Sequence, residues 1–112
     1  MKLLVVGSRS ITDFDLSPYI TNHIDTIISG GASGIDALAE QYADTCRLSK
    51  YIIRPRYDLY GRAAPLKRNE QMVDMADCVL VIWDGYSKGA QYTITYAKRS
   101  NKPITVVQLK KD

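Results

Sequence analysis

The sequence predicts an α/β protein built on a parallel sheet, and three observations predict it. Five short runs, residues 3–6, 26–28, 51–53, 78–83 and 104–107, are apolar and dominated by Val and Ile. They are continuous rather than alternating, which is the pattern of strands covered on both faces. Stretches with helical periodicity separate them. All seven glycines follow a strand and lie at or before the next helix start; none lies between a helix and the next strand.

Each helix has its own signal. Ser17-Pro18 predicts a short first helix with serine as its cap and proline in its first turn. Ile35, Leu38, Ala39, Tyr42, Ala43 and Cys46 form one clean face of a second. Leu66, Asn69, Met72, Val73 and Ala76 give a weaker third, and Gly89, Tyr92, Thr93, Tyr96 and Ala97 a fourth. Strict alternation with right-handed crossovers implies a Rossmann-like, doubly wound, five-stranded parallel sheet in three layers. The expected strand order is 3-2-1-4-5, with the flavodoxin-like order 2-1-3-4-5 as the competitor. The 112 residues suit one domain over 1–112, with no linker, repeat or low-complexity segment.

Composition narrows the function. The net charge is +3, and the only adjacent basic pairs are Lys67-Arg68, Lys98-Arg99 and Lys110-Lys111. Such scattered charge argues against nucleic acid but accommodates a small anion. Cys46 and Cys78 lie in apolar segments outside any CxxC or Cys/His cluster. They read as reduced buried thiols, and neither a metal nor a cofactor is expected. The apolar run at the N-terminus spans four residues, too few for a secretory signal or a membrane span, so a cytoplasmic protein is expected. His23, the single histidine, reads as a surface residue, and no Ser/His or Cys/His catalytic set can be assembled.

The glycines fall where open α/β sheets bind ligands, outside the carboxyl ends of the strands. Four constellations lie there. In Gly7-Ser8-Arg9 the arginine is able to hold a phosphate or carboxylate in a bidentate fork. Gly30-Gly31-Ala32-Ser33-Gly34 leads straight into the best amphipathic helix, the layout of a phosphate cradle. Asp36 in its first turn fits either a dipole-favoured helix residue or a hydrogen bond to a ribose hydroxyl or a partner loop. The stretch 54–62 is rich in Arg and Tyr, Tyr60 among them, suited to stacking on a base and meeting phosphate. Beyond it come Arg68 and Asn69, the latter on an apolar helix face where a buried amide needs a partner. Last, Trp83-Asp84-Gly85-Tyr86-Ser87-Lys88-Gly89 opens the fourth helix, a second phosphate seat.

The combination of Gly7-Ser8-Arg9, Gly30 to Asp36 as GGASGID, Tyr60-Gly61-Arg62 with Arg68-Asn69, and Asp84 to Gly89 as DGYSKG resembles the DUF2493 group of the SLOG superfamily, related to the YspA and YpsA type. The resemblance spans nearly the whole chain. It implies a Rossmann-like domain that binds nucleotides or nucleotide-derived ligands such as ADP-ribose, with no settled reaction. It also implies association through helices, with Tyr92 and Tyr96 as a candidate homodimer patch. Ala64 stands where that group usually has glycine, which would tighten the site entrance. A more distant similarity is to the Lonely Guy phosphoribohydrolases. Their Arg-Lys-x-x-Met helix matches 68–72 with Asn69 in place of lysine, and their catalytic glutamate falls at Thr93.

A binding module that senses or sequesters a nucleotide is therefore the expectation. The alternative is a nucleotide N-glycosidase in which Asp36 or Asp84 replaces the missing carboxylate and Arg68 holds phosphate. A nucleic-acid binder akin to the DNA-processing branch of the superfamily is the reading that the modest charge disfavours.

Overall fold

The structure is a computed structural model that describes residues 1–109; the Lys110-Lys111 pair lies outside them. In chain order the elements are β1 (Lys2–Gly7), β2 (Thr26–Ser29), α1 (Ile35–Thr45), β3 (Ser49–Ile52), α2 (Tyr57–Tyr60), α3 (Ala64–Met75), β4 (Cys78–Trp83), α4 (Lys88–Arg99) and β5 (Ile104–Gln108). Two 3-10 turns cover Ser17–Tyr19 and Gly61–Ala63. Every strand pair is parallel and the order is β3-β2-β1-β4-β5. The flavodoxin-like alternative is excluded, because β1 pairs with both β2 and β4.

Side-chain alternation splits the core into two layers. Leu3 and Val5 of β1, Ile27 of β2 and Leu80 and Ile82 of β4 pack against Ile35, Ala39 and Ala43 of α1. Leu16, Ile20 and Ile24, from the β1–β2 connection, complete that side. Leu4, Val6, Ile28, Val79 and Val81 face the other way, onto Met72 and Val73 of α3 and Ala90, Ile94 and Ala97 of α4.

Burial on both faces holds for β1, β2 and β4 but not for the edges. Ser49, Lys50 and Tyr51 of β3 and Thr105 and Val106 of β5 are exposed. An edge strand has one neighbour instead of two, and its apolar run is correspondingly diluted. The first helix shrinks to a single 3-10 turn, and Ser17 is not its cap. Instead the Asp15 carboxylate accepts from the Ser17 N–H at 3.0 Å and its hydroxyl at 2.7 Å. The stretch 56–63 carries α2 and the second 3-10 turn without one buried residue, so no apolar periodicity announces them. Cys46 is exposed and Cys78 half-buried, so neither is the sealed core thiol expected.

Helices α1 and α4 end without glycine. Arg47 (φ 58°) and Asn101 (φ 57°) take the left-handed conformation instead. The Leu48 N–H then reaches Ala43 O at 2.8 Å, and Lys102 N–H reaches Ala97 O at 3.0 Å. Between α3 and α4, the Tyr92 hydroxyl donates to Glu70 and the Tyr96 hydroxyl to Asp74 at 2.9 Å. No helix among the described residues is long and apolar enough to cross a membrane.

Candidate functional site

The chain leaves β1 towards β2 and β3 on one side and returns to β4 and β5 on the other. Outside the carboxyl ends of β1 and β4 this reversal opens a cleft of about 370 Å³. Ser8, Arg9 and Ser10 line one wall, continued by Ala32 and Asp36. Pro65, Leu66, Arg68, Asn69 and Met72 of α3 line the opposite wall. Asp84, Ser87, Gly89 and Ala90 close the end at α4, with Val6 and Gly7 below.

Ten of the candidate residues therefore share the cleft: Gly7, Ser8, Arg9, Ala32, Asp36, Arg68, Asn69, Asp84, Ser87 and Gly89. Gly30, Gly31, Ser33, Gly34, Trp83 and Lys88 surround it without lining it. Tyr60 lines a separate depression with Lys67, Glu70 and Asp74 along α3. No aromatic ring lines the main cleft, and its apolar surface on α3 is the aliphatic Pro65, Leu66 and Met72. None of the three reads as a site residue in the sequence, where Leu66 and Met72 mark only an apolar helix face, although Pro65, Asn69 and Met72 follow the spacing of one helical stripe. Val6, Ser10 and Ala90 also line the cleft without a sequence signal of their own. Ala64 is fully buried as the first residue of α3 and is no part of the entrance.

The 30–34 loop differs from a free phosphate cradle. Its N–H groups at Gly31 and Ala32 are already taken, by Ser29 Oγ at 3.2 Å and Asp36 Oδ2 at 3.2 Å. Ser29 Oγ in turn donates to Glu40 at 2.8 Å. The missing side chain at Gly30 makes room for charge: a Cβ there would lie 2.6 Å from Arg68 Nη1 and 3.0 Å from Asp36 Oδ2. Arg68 Nη1 donates to Gly30 O at 2.8 Å and to Ile53 O at 3.3 Å. Arg68 thus ties the ends of β2 and β3 to α3, while Asp36 ties the loop to α1.

At the other end, Asp84 Oδ1 accepts from the Tyr86 and Ser87 N–H groups at 2.8 and 2.9 Å, and these bonds hold its carboxyl below the usual range. It shapes the turn into α4. The Asp84 N–H donates to Ser8 Oγ at 3.1 Å, so the β1 and β4 loops are joined across the cleft floor. Trp83 is fixed by its indole N–H on Ser87 O at 3.1 Å. The first-turn N–H groups of α4 lack intrahelical partners, and Ser87 makes no side-chain cap. A Cβ built on Gly89 meets nothing within 4 Å.

Asp36 is 6% exposed, and burial pushes its carboxyl up, against the opposing pull of the Ala32 N–H and Arg68. A raised folded-state pKa contributes stability that is fully present below the ordinary 3.8 and is lost as pH rises through the folded value. At neutral pH the ionised carboxylate therefore subtracts from stability. Asp36→Asn keeps an acceptor for Ala32 and is expected to raise the melting temperature at neutral pH and flatten its decline above about pH 4. Thermal unfolding across that range checks this; a lower melting temperature at neutral pH would contradict it.

Thr93, where the resemblance to the phosphoribohydrolases would place a glutamate, is fully buried, and its hydroxyl donates to Gly89 O at 3.1 Å. It lies under the cleft, not in it. Among the described residues no three His, Cys, Asp or Glu side chains gather as a metal site requires. No family model, curated protein or solved structure matches this chain.

Proposed function

We propose that the chain binds a nucleotide or nucleotide-derived phosphate ligand in the cleft between β1 and β4, as a sensing or sequestering module. The observation that carries this reading is the cleft itself. It lies at the strand-order reversal, has the volume of a small-ligand site, and collects Ser8, Arg9, Asn69, Ser87 and Gly89 around unspent helix N–H groups. Arg9 is exposed and has no salt-bridge partner among the described residues, which suits it to a phosphate. The resemblance to the SLOG superfamily points the same way, and the homodimer it implies is proposed with it.

A thermal-shift panel of nucleoside mono- and diphosphates, cyclic nucleotides and ADP-ribose tests the reading. At least one ligand is expected to raise the melting temperature by mass action, by the equivalent of about 2.7 kcal/mol at a hundredfold excess over Kd. Gly89→Ala gives a second, sharper result. With open space around the Cα and a better helix former in α4, the unliganded variant is expected to gain up to about 1 kcal/mol. The added methyl occupies ligand space, so the ligand-induced shift should shrink. A panel without response at millimolar ligand sinks the reading.

Asp36 favours a second reading, hydrolysis of the N-glycosidic bond. It is a buried carboxylate in the cleft with its pKa displaced upward, as acid–base groups often are. Asp84 is a poorer base, since two N–H groups stabilise its charge. Chromatography of the incubated nucleotides separates the readings: intact ligand supports binding alone. Free base that disappears in Asp36→Asn makes the protein an enzyme.

A further inference from the structure

The two polar atoms of the Asn69 side chain have different surroundings. Asn69 is 6% exposed on α3. Its Oδ1 accepts from Arg68 Nε at 2.8 Å. That guanidinium is itself fixed, through Nη1, on the backbone oxygens of Gly30 and Ile53. A guanidinium only donates, so it must face Oδ1 and never Nδ2. The orientation of the amide is thereby dictated by chemistry. Nδ2 has no protein partner among the described residues, and no buried side-chain nitrogen or oxygen there is both sealed and unpaired. Nδ2 is therefore open, and the opening that Asn69 lines is the cleft.

We infer that Asn69 is a specificity-determining residue whose Nδ2 presents two N–H donors to a phosphate oxygen of the ligand, and that Arg68 is the positioning residue that turns it so. The inference rests on the phosphate-ligand reading above. A nearly buried amide nitrogen with open hydrogens is costly until an acceptor arrives. The same cleft is lined by Arg9 on the opposite wall and by the first turn of α4 at its end, which suit an anionic acceptor. The geometry also separates the two residues of the pair by substitution. Asn69→Asp keeps an oxygen for Arg68 and strengthens that bond by charge, but turns an acceptor into the cleft where the donors stood.

The test uses the full chain labelled with nitrogen-15, with inorganic phosphate and AMP as probes. The Asn69 side-chain amide pair is the one absent from the Asn69→Asp spectrum, or, should that variant fail to fold, from Asn69→Ser. Titration with phosphate is expected to shift this pair. Asn69→Asp is expected to melt no lower than the parent and to bind phosphate at least about tenfold more weakly. Arg68→Lys should displace or broaden the pair before any probe is added, which a merely stabilising role would not do. An amide pair that stays still at phosphate saturation overturns the inference, as does Asn69→Asp binding as tightly as the parent. So does a chain that phosphate fails to perturb at all. Phosphate engaging Asn69 without any nucleotide response keeps the inference and removes the nucleotide reading. Nucleotide binding that leaves the Asn69 pair unmoved does the reverse.

Discussion

Gly34→Ala is expected to abolish the native fold or leave it reorganised around the cleft. Gly34 precedes α1 at φ 73° and ψ −127°, the mirror image of the extended region, which a residue with a Cβ avoids. That strain alone costs about 1–3 kcal/mol. A Cβ would also stand 2.5 Å from Arg9 O and 2.6 Å from Ser8 O. Both obstacles are backbone, and Ser8 is held in place by Ile82 O and Asp84 N, so neither can yield cheaply. The sum approaches the roughly 5–15 kcal/mol that holds a domain of this kind together. Circular dichroism and thermal unfolding of the purified variant check it. A cooperative transition within a few degrees of the parent would show that the close approach of α1 to the Ser8-Arg9 backbone is not needed.

The contrast between Gly34 and Gly89 shows what was legible in the sequence and what was not. Strand count, the placement of α1, α3 and α4 and the parallel doubly wound sheet follow from periodicity and alternation, because burying the apolar runs leaves few arrangements; the strand order was one of two. The glycines were equally legible as a group outside the carboxyl ends of the strands. Their individual reasons were not. Gly7 is required by packing, since a Cβ there would lie 2.5 Å from Ile35 Cβ and 2.6 Å from Ile82 O. Gly30 makes room for Arg68 and Asp36, and Gly34 lets two backbones touch. Only Gly89 opens onto free space in the cleft. A glycine needed for close packing and one left empty for a ligand look the same in one sequence, because the distinction lies in residues brought near by the fold. The tyrosines mislead for a related reason. Tyr60 lies near the motif in sequence, but α2 carries it to the far side of α3. The stripe Pro65, Asn69 and Met72 faces the cleft instead.

Arg68→Ala is expected to weaken both the fold and the site. An arginine in a candidate ligand cleft invites the assignment of a direct phosphate contact, whose loss would spare stability. Arg68 instead commits its Nη1 and Nε to Gly30 O, Ile53 O and Asn69 Oδ1, which link β2, β3 and α3. Its removal leaves partly buried acceptors unpaired, at about 3 kcal/mol in all. The melting temperature should fall by roughly 10 °C or more. It also removes a positive charge that draws the Asp36 pKa down, so Asp36 should titrate at still higher pH in the variant. Ligand affinity falls too, but through the lost orientation of Asn69 and the slackened 30–34 loop. Arg68→Lys keeps the charge without the three-way connection and should recover little of the stability. Thermal unfolding and a pH titration of both variants decide the matter. An unchanged melting temperature with lost affinity would make Arg68 a ligand contact rather than a strut.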